Sequence, residues 1–155
     1  LIDISDILRE KYTLIIARER DMPDYNRQTS VQPSILVIDD DETIRALLRN
    51  ILEREGYRVV DALDGGSGIR RYQESPTDLV VTDLIMPGKE GIETIRDLRR
   101  EFPHVKIIAV SGGGRIGPDS YLKMAKGVGA LLTLSKPFDR MALLKAVEEV
   151  LEMDV

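Results

Sequence analysis

The chain is 155 residues long, enough for one domain with a proper core and little more. With 43% apolar and 32% charged residues it has the composition of an ordinary soluble globular protein, and its net charge of −5 argues against a nucleic-acid-binding surface. Cysteine is absent, which removes disulfides, thiolate zinc sites and thiol nucleophiles and agrees with a reducing cytoplasm. No apolar run approaches the roughly 18 residues of a membrane span, and no signal-peptide pattern is present.

The sequence opens on Leu1 rather than Met, so a segment removed upstream is expected. Residues 1–33 read as an N-terminal helical arm and linker. Ile4, Ile7, Leu8, Ile15 and Ile16 fall near one helical face, although Leu14 to Ile16 also suit a short strand. Polar residues and Pro23 and Pro33 follow from Asp21 to Ser34. This segment is an arm packed on the following domain, a dimerisation helix, or the tail of a neighbouring segment, and a homodimer stays open. Residues 34–155 form the regular domain.

Ile35 to Ile38 is a short apolar strand ending in Asp39, Asp40, Asp41 and Glu42. A helix follows to about Glu55, with Ile44, Leu47, Leu48, Ile51 and Leu52 at helical spacing and Gly56 at the C′ position. Asp41 or Glu42 serves as its N-cap. Tyr57 to Ala62 is a second strand, and Asp64 to Gly66 a turn before a helix over about Ser67 to Gln73. Leu79 to Val81 reads as a strand buried on both faces, ending in Asp83 and the Met86-Pro87-Gly88 turn. A helix over about Gly91 to Glu101 leads to a fourth strand, Lys106 to Val110. The glycine-rich loop Gly112 to Gly117 enters a helix with Pro118 near its first position. Ala130 to Leu134 is the fifth strand, and a last helix starts near Asp139. Strands alternating with helices give a doubly wound α/β domain, a five-stranded parallel sheet with helices on both faces.

Polar groups cap four of these strands at their carboxyl ends: Asp39 and Asp40, Asp83, Ser111, and Lys136. In a doubly wound sheet such ends converge on one edge. Carboxylates held close raise one another's pKa unless a cation joins them, and an all-oxygen cup suits Mg²⁺. A carboxylate is also a nucleophile towards phosphorus, and phosphoryl transfer asks mainly for neutralised oxygen charge. Mg²⁺, the Lys136 ammonium and the Ser111 hydroxyl supply that. Singly, each residue has a plainer role, such as helix cap, turn residue or solvated charge. Their joint occurrence at four strand ends, in order, points to a phospho-aspartate site.

Residues 34 to about 153 resemble the receiver domain of two-component response regulators. ILVIDDDE matches the family's first-strand acidic pair, DLVVTDLIMPGKEG its phosphoacceptor segment, IIAVSGG its strand-four hydroxyl motif and LSKPF its Lys-Pro motif. The resemblance implies the flavodoxin-like strand order 2-1-3-4-5 of the chemotaxis regulator. It implies that Asp83 accepts a phosphoryl group from a histidine kinase or histidine phosphotransfer protein. It further implies that Asp40, Asp83 and the Ile85 backbone carbonyl hold Mg²⁺ directly, with Asp39 acting through water. Ser111 would hydrogen-bond the attached phosphoryl group, Lys136 would pair with it, and Ser111 and Thr133 would form the switch. The protein would catalyse its own phosphorylation and slow dephosphorylation without being a multiple-turnover enzyme. It would signal to a downstream protein, with neither nucleic acid nor membrane as partner.

Two departures stand out. The switch position three residues before the lysine usually carries an aromatic side chain and here is Thr133. The loop SGGGRIGPDS is longer and richer in glycine than is common, so ordering on phosphorylation is expected. Ile85 and Gly113 stand where the family tunes hydrolysis, and neither positions a water through its side chain, so slow autodephosphorylation is expected. A rival reading is a haloacid-dehalogenase-like phosphatase, because Asp39, Asp41 and Thr43 satisfy DxDxT, with Asp39 as nucleophile and Asp41 as general acid. It leaves Asp83 and the segment after it unexplained. His104 reads as a surface residue. With no helix-turn-helix or catalytic domain after the last helix, the chain is expected to act as a stand-alone receiver or as one cut from a larger sensor kinase.

Overall fold

Alternation of short apolar strands with amphipathic helices produces a sheet covered on both faces. The computed structural model describes residues 31–86, 91–112 and 118–155; the N-terminal arm and linker reading falls almost wholly outside them. The elements are β1 (Ser34–Ile38), α1 (Glu42–Arg54), β2 (Arg58–Ala62), α2 (Gly65–Glu74), β3 (Leu79–Asp83), α3 (Gly91–Glu101), β4 (Ile107–Ser111), α4 (Pro118–Gly127), β5 (Leu132–Ser135) and α5 (Arg140–Glu152). The five strands are all parallel and run in the order β2-β1-β3-β4-β5. Between β1 and β3 the winding direction reverses, which opens a crevice at their carboxyl ends.

Strand residues alternate between two cores. Leu36, Ile38, Val80, Ile107 and Ala109 pack with Ile69, Tyr72, Ile95, Leu98 and Ala125 of α2, α3 and α4. Ile35, Val37, Val81, Ile108 and Val110 face Leu48, Leu52, Leu143, Val147 and Val150 of α1 and α5. β1, β3 and β4 are buried along their whole length, which is why they read as continuous apolar runs rather than alternating ones. Each buried Leu, Ile or Val side chain contributes about 1.5–3 kcal/mol.

Helix ends follow their capping residues. Asp41 caps α1, its carboxylate accepting from the Thr43 and Ile44 amides at 2.8 and 3.3 Å. Gly56, just past the Glu55 cap, has φ +88°, the left-handed conformation that glycine adopts without strain. The second helix begins at Gly65, two residues earlier than its apolar pattern suggests. Asp64 and Ser67 form a capping box there, and the box recruits both glycines into the first turn. The fifth strand starts at Leu132 and ends at Ser135, displaced towards the lysine by pairing with β4. Leu47, assigned by periodicity to the buried stripe of α1, is 53% exposed because the sheet contact is carried by Leu48 and Leu52. Among the described residues no helix is long and apolar enough to cross a membrane.

Candidate functional site

Three parallel strands deliver the site. Asp39 directly follows β1, and Asp83 ends β3 beside it, one residue beyond the Ile38–Thr82 register pair. One carboxylate oxygen from each of Asp39, Asp40 and Asp83 lies within 4.8 Å of the others. Asp39 and Asp83 are buried, while Asp40 is exposed at the mouth. From the end of β5, Lys136 extends its ammonium across the crevice. Its Nζ lies 3.1 Å from Asp39 Oδ2 and 3.5 Å from Asp83 Oδ1. The backbone amide of Lys136 donates to the Ser111 carbonyl at 2.8 Å, fixing the lysine to the end of β4. Gly112 packs against the Lys136 stem.

Burial acts strongly on these charges. Desolvation pushes the Asp83 carboxyl up; Lys136 pulls it back, and neighbouring Asp39 pushes it up again, leaving it raised from 3.8 to about 6. Burial also works against the Lys136 ammonium, but Asp83 and Asp39 together more than offset it, so the lysine pKa lies above its ordinary value. Both pKa values are therefore raised. The lysine is held by two carboxylates, whereas Asp83 has to share one ammonium with Asp39. The pocket has more negative charge than its own cation neutralises.

Ser111 is fully buried at the end of β4, next to Val110, the register partner of Asp83. Thr133 pairs in register with Ala109, is half-buried, and lines a hollow of about 240 Å³ with Asp119, Leu122, Lys123 and Lys126. Ile85 is 39% exposed just after β3. Gly113 and most of the glycine-rich loop lie outside the described residues, as do Pro87 and Gly88. His104 is exposed, its Nδ1 2.7 Å from the Val155 carbonyl.

A family model described as the response regulator receiver domain matches residues 35–148. The chain belongs to the response regulator receiver family. Among relatives of the receiver, the chemotaxis protein CheY of Halobacterium salinarum is 33% identical over 117 residues, covering 76% of this chain and 95% of that protein. The response regulator receiver protein CpdR of Brucella abortus is 35% identical over 119 residues, covering 76% and 95%. The transcriptional regulatory protein GlrR of Escherichia coli is 35% identical over 118 residues, and there the match spans 76% of this chain but only 26% of the relative. Of solved structures, a receiver domain protein from Clostridium thermocellum superposes with a TM-score of 0.71 at 30% identity, covering 77% of this chain and 94% of that one.

The receiver's acidic cluster fits a divalent cation by the chemistry of its donors: converging carboxylate oxygens, excess negative charge, and one exposed member at the mouth. Asp41, the general acid of the phosphatase reading, is engaged in capping α1. Two residues at the site escaped the sequence reading. Gly91 opens α3 so close to β3 that a Cβ there would sit 2.2 Å from the Asp83 carbonyl oxygen. Arg45 donates to the carbonyls of Asp39 and Asp40. A glycine at the first position of a helix is a signal for the former; an arginine on an amphipathic helix carries none for the latter.

Proposed function

We propose that this receiver is a phosphoacceptor switch in which Asp83 takes a phosphoryl group from the phosphohistidine of a histidine kinase or phosphotransfer protein. The observation that carries the reading is the buried Asp83 carboxylate set between Asp39 and the Lys136 ammonium, with Asp40 at the mouth. An Asp83 oxygen forms the new P–O bond as the P–N bond breaks, and the departing imidazole nitrogen keeps the electron pair. Asp39, Asp40, Asp83 and the Ile85 carbonyl would hold Mg²⁺, which neutralises charge on the carboxylates and on the transferring oxygens. Lys136 pairs with the phosphoryl oxygens, and Ser111 donates its hydroxyl to one of them. A shift of Ser111 passes along β4 to Ala109, whose register partner on β5 is Thr133, so phosphorylation redistributes two states of that surface. A downstream protein reads it. Neither Ile85 nor Gly113 offers a side chain to orient water, so the acyl phosphate decays slowly. Residues 34–155 are the switching unit.

The test is incubation with Mg²⁺ and a small acyl-phosphate donor, borohydride trapping and mass spectrometry, beside Asp83→Asn. Modification at Asp83 that needs Mg²⁺ and vanishes in the variant is expected. Modification at Asp39 with continuing turnover would replace this reading by the phosphatase one. No modification would leave a receiver-shaped binding domain.

A further inference from the structure

The acidic loop between β1 and α1 has to present two adjacent carboxylates in fixed directions although their charges repel. Its backbone is held from outside the pocket. Arg45, on the first turn of α1, is only 15% exposed, and its Nη1 donates to the Asp39 carbonyl at 2.8 Å and the Asp40 carbonyl at 3.2 Å. The opposite side of the same guanidinium meets β2, where Nε lies 3.2 Å from Asp61 Oδ2. Asp61 is itself fixed, because its other oxygen accepts from Arg49, one helical turn further along. Arg49 in turn donates to the Val59 carbonyl at 2.9 Å. A rigid fork thus runs from strand β2 through a carboxylate to two consecutive peptide carbonyls.

The planar guanidinium suits this task because its donors diverge in fixed directions, which a lysine cannot reproduce. Fixing the two peptide planes fixes the Cα–Cβ directions of Asp39 and Asp40, and so the directions of their carboxylates. Asp39 has further ties, its amide donating to the Ala62 carbonyl at 3.2 Å and its Oδ1 accepting from Asp41 N at 2.9 Å. For exposed Asp40 the Arg45 contact to its carbonyl is the anchor seen here.

We propose that Arg45, clamped by Asp61, is a positioning residue that preorganises Asp39 and Asp40 for a divalent cation. The proposal rests on the reading of the acidic cluster as a cation site. It opposes simple electrostatics in sign. Arg45 is a positive charge near the pocket, so its removal would tighten cation binding if charge alone mattered. Preorganisation requires the reverse, since a loosened loop has to be ordered by the incoming ion. Outer contacts of this kind are worth about 10–100-fold in metal affinity.

The experiment is isothermal titration of the full, metal-free chain with Mg²⁺, without phosphodonor, for the parent, Arg45→Met, Arg45→Lys and Asp61→Asn. Urea midpoints in EDTA report any structural cost separately. Arg45→Met is expected to weaken Mg²⁺ binding about 10-fold, Arg45→Lys to recover only part of that, and Asp61→Asn to weaken it by a few fold. The Arg45→Met/Asp61→Asn double variant should bind no more weakly than Arg45→Met, because the two act through one contact. Folded Arg45→Met that binds Mg²⁺ as tightly as the parent, or more tightly, overturns the proposal while leaving the cation site intact. Should Arg45→Met fail to fold, unchanged affinity in Asp61→Asn overturns it instead. A parent chain that takes up no Mg²⁺ overturns the site reading and the proposal together.

Discussion

Replacing Asp83 by asparagine removes one negative charge from a pocket of three carboxylates and keeps the side chain's shape. Burial first, then Asp39, acting against Lys136, raise the Asp83 pKa in the metal-free chain from 3.8 to about 6. At about 1.4 kcal/mol per unit, ionising Asp83 costs about 3 kcal/mol more in the folded chain than in the unfolded one. Because the folded pKa is the raised one, the favourable contribution is complete below about pH 4 and is lost as pH climbs through about 6. Asparagine suffers no such loss. In EDTA at neutral pH, Asp83→Asn is therefore expected to be more stable than the parent by about 2–3 kcal/mol, or about 5–10 °C in Tm. The two should converge below about pH 4, where the parent carboxyl is protonated. Urea unfolding in EDTA across this range measures the gap directly, and Mg²⁺ should stabilise the parent more than the variant. A variant no more stable than the parent at neutral pH, or a gap that persists in acid, would refute the reasoning.

Lys136→Met keeps the stem and deletes the ammonium that pulls the Asp83 carboxyl down, so Asp83 should titrate above about 6, followed by carboxyl ¹³C shifts in EDTA. Gly91→Ala places a methyl 2.2 Å from the Asp83 carbonyl oxygen and 2.5 Å from Leu84 Cα, both backbone atoms that cannot step aside. A loss of about 2–3 kcal/mol in urea unfolding is expected. Asp64→Ala breaks the capping box of α2 and should cost about 1 kcal/mol by the same measurement, without altering Mg²⁺ affinity.

The sheet was legible because strands buried on both faces leave uninterrupted apolar runs, and Leu79 to Val81 is such a run. Lys136 was legible as a strand-end residue, and the crevice geometry then brings it to Asp39 across 97 residues of sequence. Helix starts were less so. Two glycines argue locally against a helix at Gly65, yet the Asp64 box starts one there. Leu47 failed for a different reason: a helix of apolar width greater than its contact with the sheet leaves one edge of the stripe uncovered. Arg45 was invisible because backbone carbonyls leave no trace in the sequence, and any arginine at that spacing looks like a solvated one.

The reach of Lys136 also bears on the order in which the molecule assembles. Its partners lie at the carboxyl ends of β1 and β3, and the lysine arrives only when β5, last of the strands in sequence, docks on β4. Contacts of such sequence separation form late, because loop closure must precede them. An intermediate lacking β5 would hold its aspartates together with no ammonium between them. The last strand to dock therefore removes a repulsion as well as adding apolar contact, which steepens the final step and disfavours chains that stop short of it. Intactness of the whole sheet and readiness of the pocket become one event.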